Sequence, residues 1–225
     1  MSDYQLVRSR RRTIALIVRN DGTLVVRAPL RAPEKFIREF VASKADWVRK
    51  QQARAQKIAR TVARAYGDGE KFLYLGQAYP LKIVPPRRMA LTLKERFELS
   101  ESALPRAEAA FVRWYKARAA EVLPERVNDL AARHGYRVSK VRITSARTRW
   151  GSCSPQGTLS FSWRLVMAPA AVIDYVVIHE LVHLEIKNHS QKFWARVGER
   201  LPEYKTHVAW LRRNGRFLTL ESGSG

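Results

Sequence analysis

The sequence predicts an α+β fold. A β-rich N-terminal region with one long helix precedes a C-terminal half built from a buried helix beside a small antiparallel sheet. Short apolar runs bounded by turn residues fill much of the first hundred residues, and two long stretches have helical periodicity. The run Val172–Leu184 is apolar nearly all round. Because a helix that is apolar on every side is typical of a protein interior, this run predicts the central helix of the C-terminal half.

The N-terminal elements are predicted from turn residues and apolar spacing. Arg12–Val18 is an apolar strand candidate, and Asn20-Asp21-Gly22 is a hairpin turn leading to a partner strand at Thr23–Arg27. Pro33 then opens one long helix over about residues 34–64. Its apolar residues at helical spacing are Phe36, Phe40, Val41, Trp47 and Val48.

The later elements follow from the same signals. They are strand regions near Lys71–Val84 and Met89–Leu99, a helix from about Pro105 to His134, and strands at Val138–Ser145 and Thr158–Trp163. Pro169 fits the first turn of the apolar helix. We therefore expect a basic N-terminal region (residues 1–103), a C-terminal domain (104–216) and a flexible tail (217–225).

The composition limits the compartment. Cys153 is the single cysteine, which excludes an internal disulfide and fits a reducing environment. Met1–Arg12 is polar and basic, unlike a secretory signal. The longest apolar stretch is interrupted by charged and histidine side chains and is too short to span a bilayer. We expect a cytoplasmic protein without a membrane partner.

The net charge of +22 suggests an anionic partner, either a nucleic acid or an acidic protein. Residues 1–60 contain fifteen Lys and Arg against five Asp and Glu, so they carry +10 of that charge. The alternative is a generally basic, well-solvated surface, since no known nucleic-acid-binding motif accompanies the charge.

The segment His179-Glu180-Leu181-Val182-His183 carries the most specific chemical signal. Residues four apart share one face of a helix, so His179 and His183 can direct two imidazole nitrogens at one point. Glu180 lies beside them, where a carboxylate can reach a water on a metal ion. Zinc hydrolysis needs two neutral imidazoles and a neighbouring base, which favours a metallopeptidase. Hydrogen-bonded core histidines and an ion-paired Glu180 are the alternatives.

A third histidine, His189, can join this site only if the helix ends. On a continued helix it would lie roughly 9 Å beyond His183 and about 240° around the axis. We expect the chain to turn back within Glu185–Asn188, since Asn188 tolerates the left-handed conformation that ends many helices. The metzincin pattern has glycine where this chain has Ile186. If His189 does not bind the metal, the next candidates for the third ligand are Glu199, Glu203 and His207.

These segments resemble the YgjP-like family of bacterial zinc metallopeptidases and, more distantly, the SprT-type proteases. The likeness is carried by Tyr175–His183, by Asn188-His189-Ser190 with Phe193-Trp194, and by Arg149–Cys153, with weaker matches at Asp21–Pro29 and Leu75–Tyr79. The resemblance implies a zincin-like C-terminal domain. It also implies one zinc ion per chain, bound by His179, His183 and His189, with Glu180 as catalytic base.

The expected reaction is hydrolysis of a peptide bond in a protein or peptide substrate. Zinc lowers the pKa of its bound water to around 7, and Glu180 takes the proton as that water attacks. One alternative is a nucleic-acid-associated protein that cleaves only DNA- or RNA-bound proteins, with affinity that depends on Arg8–Arg12. Another is a non-catalytic zinc-binding protein, against which the intact Glu180 argues.

Substrate-contacting residues are predicted less directly. Zincin substrates add to an edge strand beside the metal, and Arg149–Ser154 or Thr158–Trp163 could be that strand. Candidate substrate-binding residues are Arg149, Trp150, Gly151 and Tyr204, and candidate oxyanion donors are Arg147, Arg149 and Tyr204. Trp150 and Cys153 could equally be packing residues around a Gly151 turn. Phe193 and Trp194 are expected to hold the returning chain against the helix and so position His189.

Overall fold

The computed structural model describes residues 3–19, 22–62 and 64–220. Over this part the protein is α+β, as predicted, with small sheets and several helices. Packing divides the chain into two units, one up to Arg64 and the other Ala65–Leu220. The predicted boundary at residues 103/104 falls inside a 3₁₀ helix, Glu101–Arg106, so the packing divides the chain earlier than predicted.

The first unit has a three-stranded sheet and two helices. The strands are β1 (Tyr4–Ser9), β2 (Ala15–Val18) and β3 (Leu24–Pro29), followed by α1 (Glu34–Ser43) and α2 (Ala45–Val62). The sheet order is β1-β3-β2, with β2 antiparallel and β1 parallel to the central β3. The predicted hairpin of β2 and β3 is confirmed, although Asn20 and Asp21 of its turn lie outside the described residues. Strand β1 was not predicted.

The prediction of one long helix over residues 34–64 is wrong, because the helix breaks at Lys44. The hydroxyl of Ser43 donates to the carbonyl of Phe40 at 2.8 Å, a local bond that competes with helix continuation. The buried face agrees with the predicted one at Val41 and Val48, which pack with Ile37 against β3, but Phe36 and Trp47 remain 56% and 43% exposed.

The second unit begins with a four-stranded sheet. Its strands are β4 (Lys71–Tyr74), β5 (Gln77–Val84), β6 (Leu91–Leu93) and β7 (Phe97–Ser100), in the order β4-β5-β7-β6. The tip of the β4–β5 hairpin contacts the segment that precedes the apolar helix: the amides of Leu75 and Gly76 donate to the carbonyls of Val166 and Met167. Gly76 has φ +82°, and a Cβ there would lie 2.8 Å from Pro169 Cα, so only glycine permits this approach.

A long helix, α3 (Ala107–His134), ends as predicted before Gly135, which adopts a left-handed conformation. A three-stranded sheet follows: β8 (Lys140–Thr144), β9 (Gly151–Cys153) and β10 (Thr158–Ser162), in the order β8-β10-β9. The predicted antiparallel sheet is wrong. β10 pairs antiparallel with β9 but parallel with β8. Because β9 and its turns lie between β8 and β10 in the chain, the chain reverses twice and β10 runs in the same direction as β8.

Three helices complete the unit: α4 (Ala170–Glu185), α5 (Gln191–Arg200) and α6 (Tyr204–Asn214). α4 is buried as predicted, and a two-bond ion pair fixes it to α3, with Arg126 Nε and Nη2 donating to Asp174 at 2.8 and 2.6 Å. The predicted flexible tail is wrong for residues 217–220, because the apolar Leu218 and Leu220 are buried in the core. Residues 221–225 lie outside the described residues.

None of the helices in the described ranges is long and apolar enough to cross a membrane.

Candidate metal centre

Three histidine side chains converge at the C-terminal end of α4. His179 and His183 come from that helix, one turn apart, and His189 comes from the segment between α4 and α5. His189 Nε2 lies 3.0 Å from His179 Nε2 and 3.2 Å from His183 Nε2. His189 is exposed, whereas His179 and His183 are partly buried, so the cluster opens to solvent on the His189 side.

The helix ends at Glu185 and the chain bends at Asn188, so the reversal lies within the predicted segment Glu185–Asn188. Ile186 has φ −124° and ψ 107°, and Asn188 does not have the positive φ that was expected. Lys187 explains how the helix can end without a left-handed residue: its ammonium donates to the carbonyls of His183 and Leu184 at 2.8 and 3.4 Å. A cation at a helix C-terminus satisfies the last carbonyls and favours the helix dipole. The residue that signals the end of this helix is therefore Lys187, which the prediction did not use.

Phe193 and Trp194, on α5, pack against the returning histidine. The Phe193 ring is fully buried, and its centroid lies 4.9, 4.5 and 4.9 Å from those of His179, His183 and His189. The Trp194 ring lies 5.7 Å from the ring of His189. The packing geometry therefore agrees with the expectation that these two residues hold the chain that carries His189.

The donor set fits a metal ion. His183 Nδ1 lies 2.9 Å from the carbonyl of Ile186, which can only accept, so Nδ1 carries the proton and Nε2 offers its lone pair to the cluster. Burial, with the neighbouring histidines, lowers the pKa of His179 to about 3, and burial also lowers the pKa of His183. Both rings are therefore neutral at pH 7, as metal ligation requires. The observed Nε2 separations are close to the roughly 3.3 Å expected between nitrogens around tetrahedral zinc.

Glu180 is 5% exposed and lies directly against strand β9. A Cβ built on Gly151 would lie 2.6 Å from both Cγ and Oε1 of Glu180. The carboxylate therefore occupies space that any other residue at position 151 would fill. Burial raises the pKa of Glu180 to about 8, and the positive charge of Arg149 acts in the opposite direction.

Strand β9 forms the edge of its sheet, whereas β10 is central, so Thr158–Trp163 cannot be the edge strand considered above. Gly151 and Cys153 face Phe161 and Leu159, and the amide of Ser162 donates to the carbonyl of Trp150. In that register Gly151 and Cys153 form non-hydrogen-bonded pairs. Their N–H and C=O groups therefore point away from β10, towards the open edge.

The remaining predicted site residues have different positions. Arg149 is exposed, and its positive charge lowers the pKa of Glu180. Trp150 is half-buried and packs against Gly215. Tyr204 stacks on Trp194 with ring centroids 5.6 Å apart. The alternative third ligands, Glu199, Glu203 and His207, do not belong to the histidine cluster.

Two solved structures are similar: the metallopeptidase zymogens abylysin of Pyrococcus abyssi and jannalysin of Methanocaldococcus jannaschii. The first is 24% identical over 42% of this chain and 97% of its own, with a TM-score of 0.38. The second is 21% identical over 39% of this chain and 94% of its own, with a TM-score of 0.34. No curated protein sequence matches the chain. Residues 12–214 match the YgjP-like metallopeptidase domain, and the chain belongs to this family.

Proposed function

We propose that the protein is a zinc-dependent peptidase with His179, His183 and His189 as metal ligands and Glu180 as general base. The observation that carries the proposal is the convergence of three imidazole nitrogens, with the buried Glu180 next to His179 on the same helix. Imidazole nitrogens suit Zn²⁺, and three protein ligands leave a fourth position open, as catalytic zinc sites do. When bound, the ion would act as a Lewis acid that acidifies water and polarises the scissile carbonyl.

Glu180 is proposed to accept a proton from the attacking water on its carboxylate and to return that proton to the leaving amine. Burial alone raises the pKa of Glu180 to about 8, but a cation in the histidine cluster would lower it, so the carboxylate would be ionised at neutral pH. The absence of a side chain at Gly151 lets this carboxylate lie against β9.

The substrate is proposed to add to β9 as an extended strand. The backbone N–H and C=O groups of Gly151 and Cys153 point to the edge of the sheet, and Gly151 lies directly against the proposed base. Strand addition uses main-chain hydrogen bonds, so it would place a peptide bond beside Glu180 without requiring a particular side chain.

The proposal is tested by measuring peptide hydrolysis with metal-free protein, zinc-loaded protein and the zinc-loaded Glu180→Gln variant. We expect turnover only in the zinc-loaded wild type, with zinc content unchanged in the variant. Glu199→Gln is the matched control, because Glu199 is exposed and pairs with Arg196 outside the cluster. Full activity of Glu180→Gln would contradict the assignment, and zinc binding without any turnover in the wild type would favour a non-catalytic zinc protein.

A second candidate is a nucleic-acid-associated peptidase that acts on proteins bound to DNA or RNA. The net charge of +22 supports it, as do the exposed arginines Arg10, Arg12, Arg19 and Arg27 of the first unit. Arg8 instead donates to three backbone carbonyls, so a test should neutralise residues 10–12 only. Salt-sensitive binding of a labelled DNA or RNA oligonucleotide that this change removes would support the candidate.

A further inference from the structure

Arg149 lies just before the N-terminal end of β9, the strand proposed to pair with the substrate. It precedes Gly151 by two residues, and Gly151 is the position whose missing side chain makes room for the Glu180 carboxylate. Arg149 is exposed, and within the described part of the chain its guanidinium has neither an ion-pair nor a hydrogen-bond partner. By comparison, Arg126 of this unit is paired with Asp174 and Arg196 with Glu185. Arg149 therefore has donors available to a ligand beside the proposed base.

Several positive side chains act on groups of the proposed site. Arg149 acts on Glu180, Lys187 acts on His183 and Cys153, and Arg212 acts on Tyr175. Positive side chains near a site attract ligands of the opposite charge.

An arginine is suited to a carboxylate because its planar guanidinium can donate two parallel hydrogen bonds to the two oxygens. An arginine close to the reacting bond also repels a lysine or arginine of the substrate. Because of these properties, Arg149 would favour acidic over basic residues in the peptide that pairs with β9.

We propose that Arg149 binds a carboxylate group of the substrate next to the scissile bond, so that the enzyme prefers acidic peptides. This inference rests on the peptidase function proposed above and adds the substrate class. The carboxylate can belong to an Asp or Glu side chain or to the C-terminus of the peptide, and the two sources are distinguished by experiment.

The test uses full-length zinc-loaded protein carrying Glu180→Gln, so that binding is measured without turnover. Fluorescein-labelled octapeptides with a single Glu, moved along the sequence, are compared with the all-Gln parent by anisotropy. A second pair differs only in a C-terminal acid or amide. The same peptides are titrated into Glu180→Gln combined with Arg149→Gln. The control combines Glu180→Gln with Arg142→Gln, which removes an exposed arginine from β8 at the opposite edge of the same sheet.

We expect one Glu position, or the free C-terminus, to bind about 10-fold more tightly than its neutral counterpart, as for a charge-assisted contact at a solvent-exposed site. Arg149→Gln should remove that ratio, Arg142→Gln should retain it, and Arg149→Glu should reverse it towards lysine peptides. Equal affinities for acidic and neutral peptides, including no binding of either, would overturn the inference, as would a preference that survives Arg149→Gln. Wild-type turnover of the same peptides tests the peptidase function separately, since hydrolysis without charge preference would refute this inference alone.

Discussion

Replacing Gly151 by alanine perturbs the proposed base without touching a histidine. The new Cβ would lie 2.6 Å from Cγ and Oε1 of Glu180, whereas carbon atoms in contact are about 3.5–4.0 Å apart. The carboxylate must therefore move by roughly 1 Å. Glu180 is almost fully buried, so it has little room in which to move. A displacement of that size at a reacting group costs about 100-fold in rate, or about 2.7 kcal/mol of transition-state stabilisation.

The assay is kcat/KM on a peptide substrate, accompanied by zinc content and thermal stability. We expect Gly151→Ala to lose about 100-fold in kcat/KM while it retains the metal, because the histidine rings lie on other elements. Gly67→Ala is the matched control, since a Cβ at Gly67 would meet no atom within 4 Å. Wild-type activity in Gly151→Ala would refute the argument that Gly151 makes room for Glu180.

Three further predictions concern the surroundings of the site. Phe193→Ala should destabilise the protein by about 3–5 kcal/mol and weaken zinc binding, because the ring supports all three histidines; chemical denaturation and metal titration measure both effects. Asp174→Ala should cost about 1–3 kcal/mol by removing both hydrogen bonds from Arg126 that join α3 to α4, which leaves Arg126 only its ion pair with Asp129 on α3, as urea unfolding would detect. Burial raises the pKa of Tyr136 to about 12 from its ordinary 10, so its contribution to stability is present below pH 10 and is lost as the pH rises towards 12. Tyr136→Phe should therefore have a shallower loss of unfolding free energy over that range, and an unchanged slope would contradict this.

Local signals in the sequence were sufficient to predict that His179 and His183 share one face of a buried helix. Helix geometry alone places residues four apart, such as His179 and His183, on one face. The apolar residues on nearly all sides of α4 require that helix to be buried. The need for a chain reversal before His189 followed from the same geometry. The way the helix ends was less predictable. The sequence suggested a left-handed conformation at Asn188, whereas in the structure the side chain of Lys187 donates to the His183 carbonyl at the end of the helix.

Tertiary contacts decided the features that local sequence patterns did not predict. The parallel pairing of β10 with β8 joins strands separated by β9, and no local pattern specifies it. The apolar spacing was interpreted correctly as helical, and Val41 and Val48 are buried, but the break at Lys44 and the position of the sheet leave Phe36 and Trp47 exposed and bury Ile37. Gly151 stood out in the sequence, but only the fold brings it to Glu180.

The most direct test of the account is the metal content of the purified protein, measured by elemental analysis for the wild type, His189→Ala and His207→Ala. His207 is the control, because it is a histidine outside the cluster. We predict about one zinc ion per chain in the wild type and in His207→Ala, with zinc lost or much weakened in His189→Ala. Absence of bound zinc from the wild type after zinc loading, or zinc content unaffected by His189→Ala, would contradict the three-histidine site.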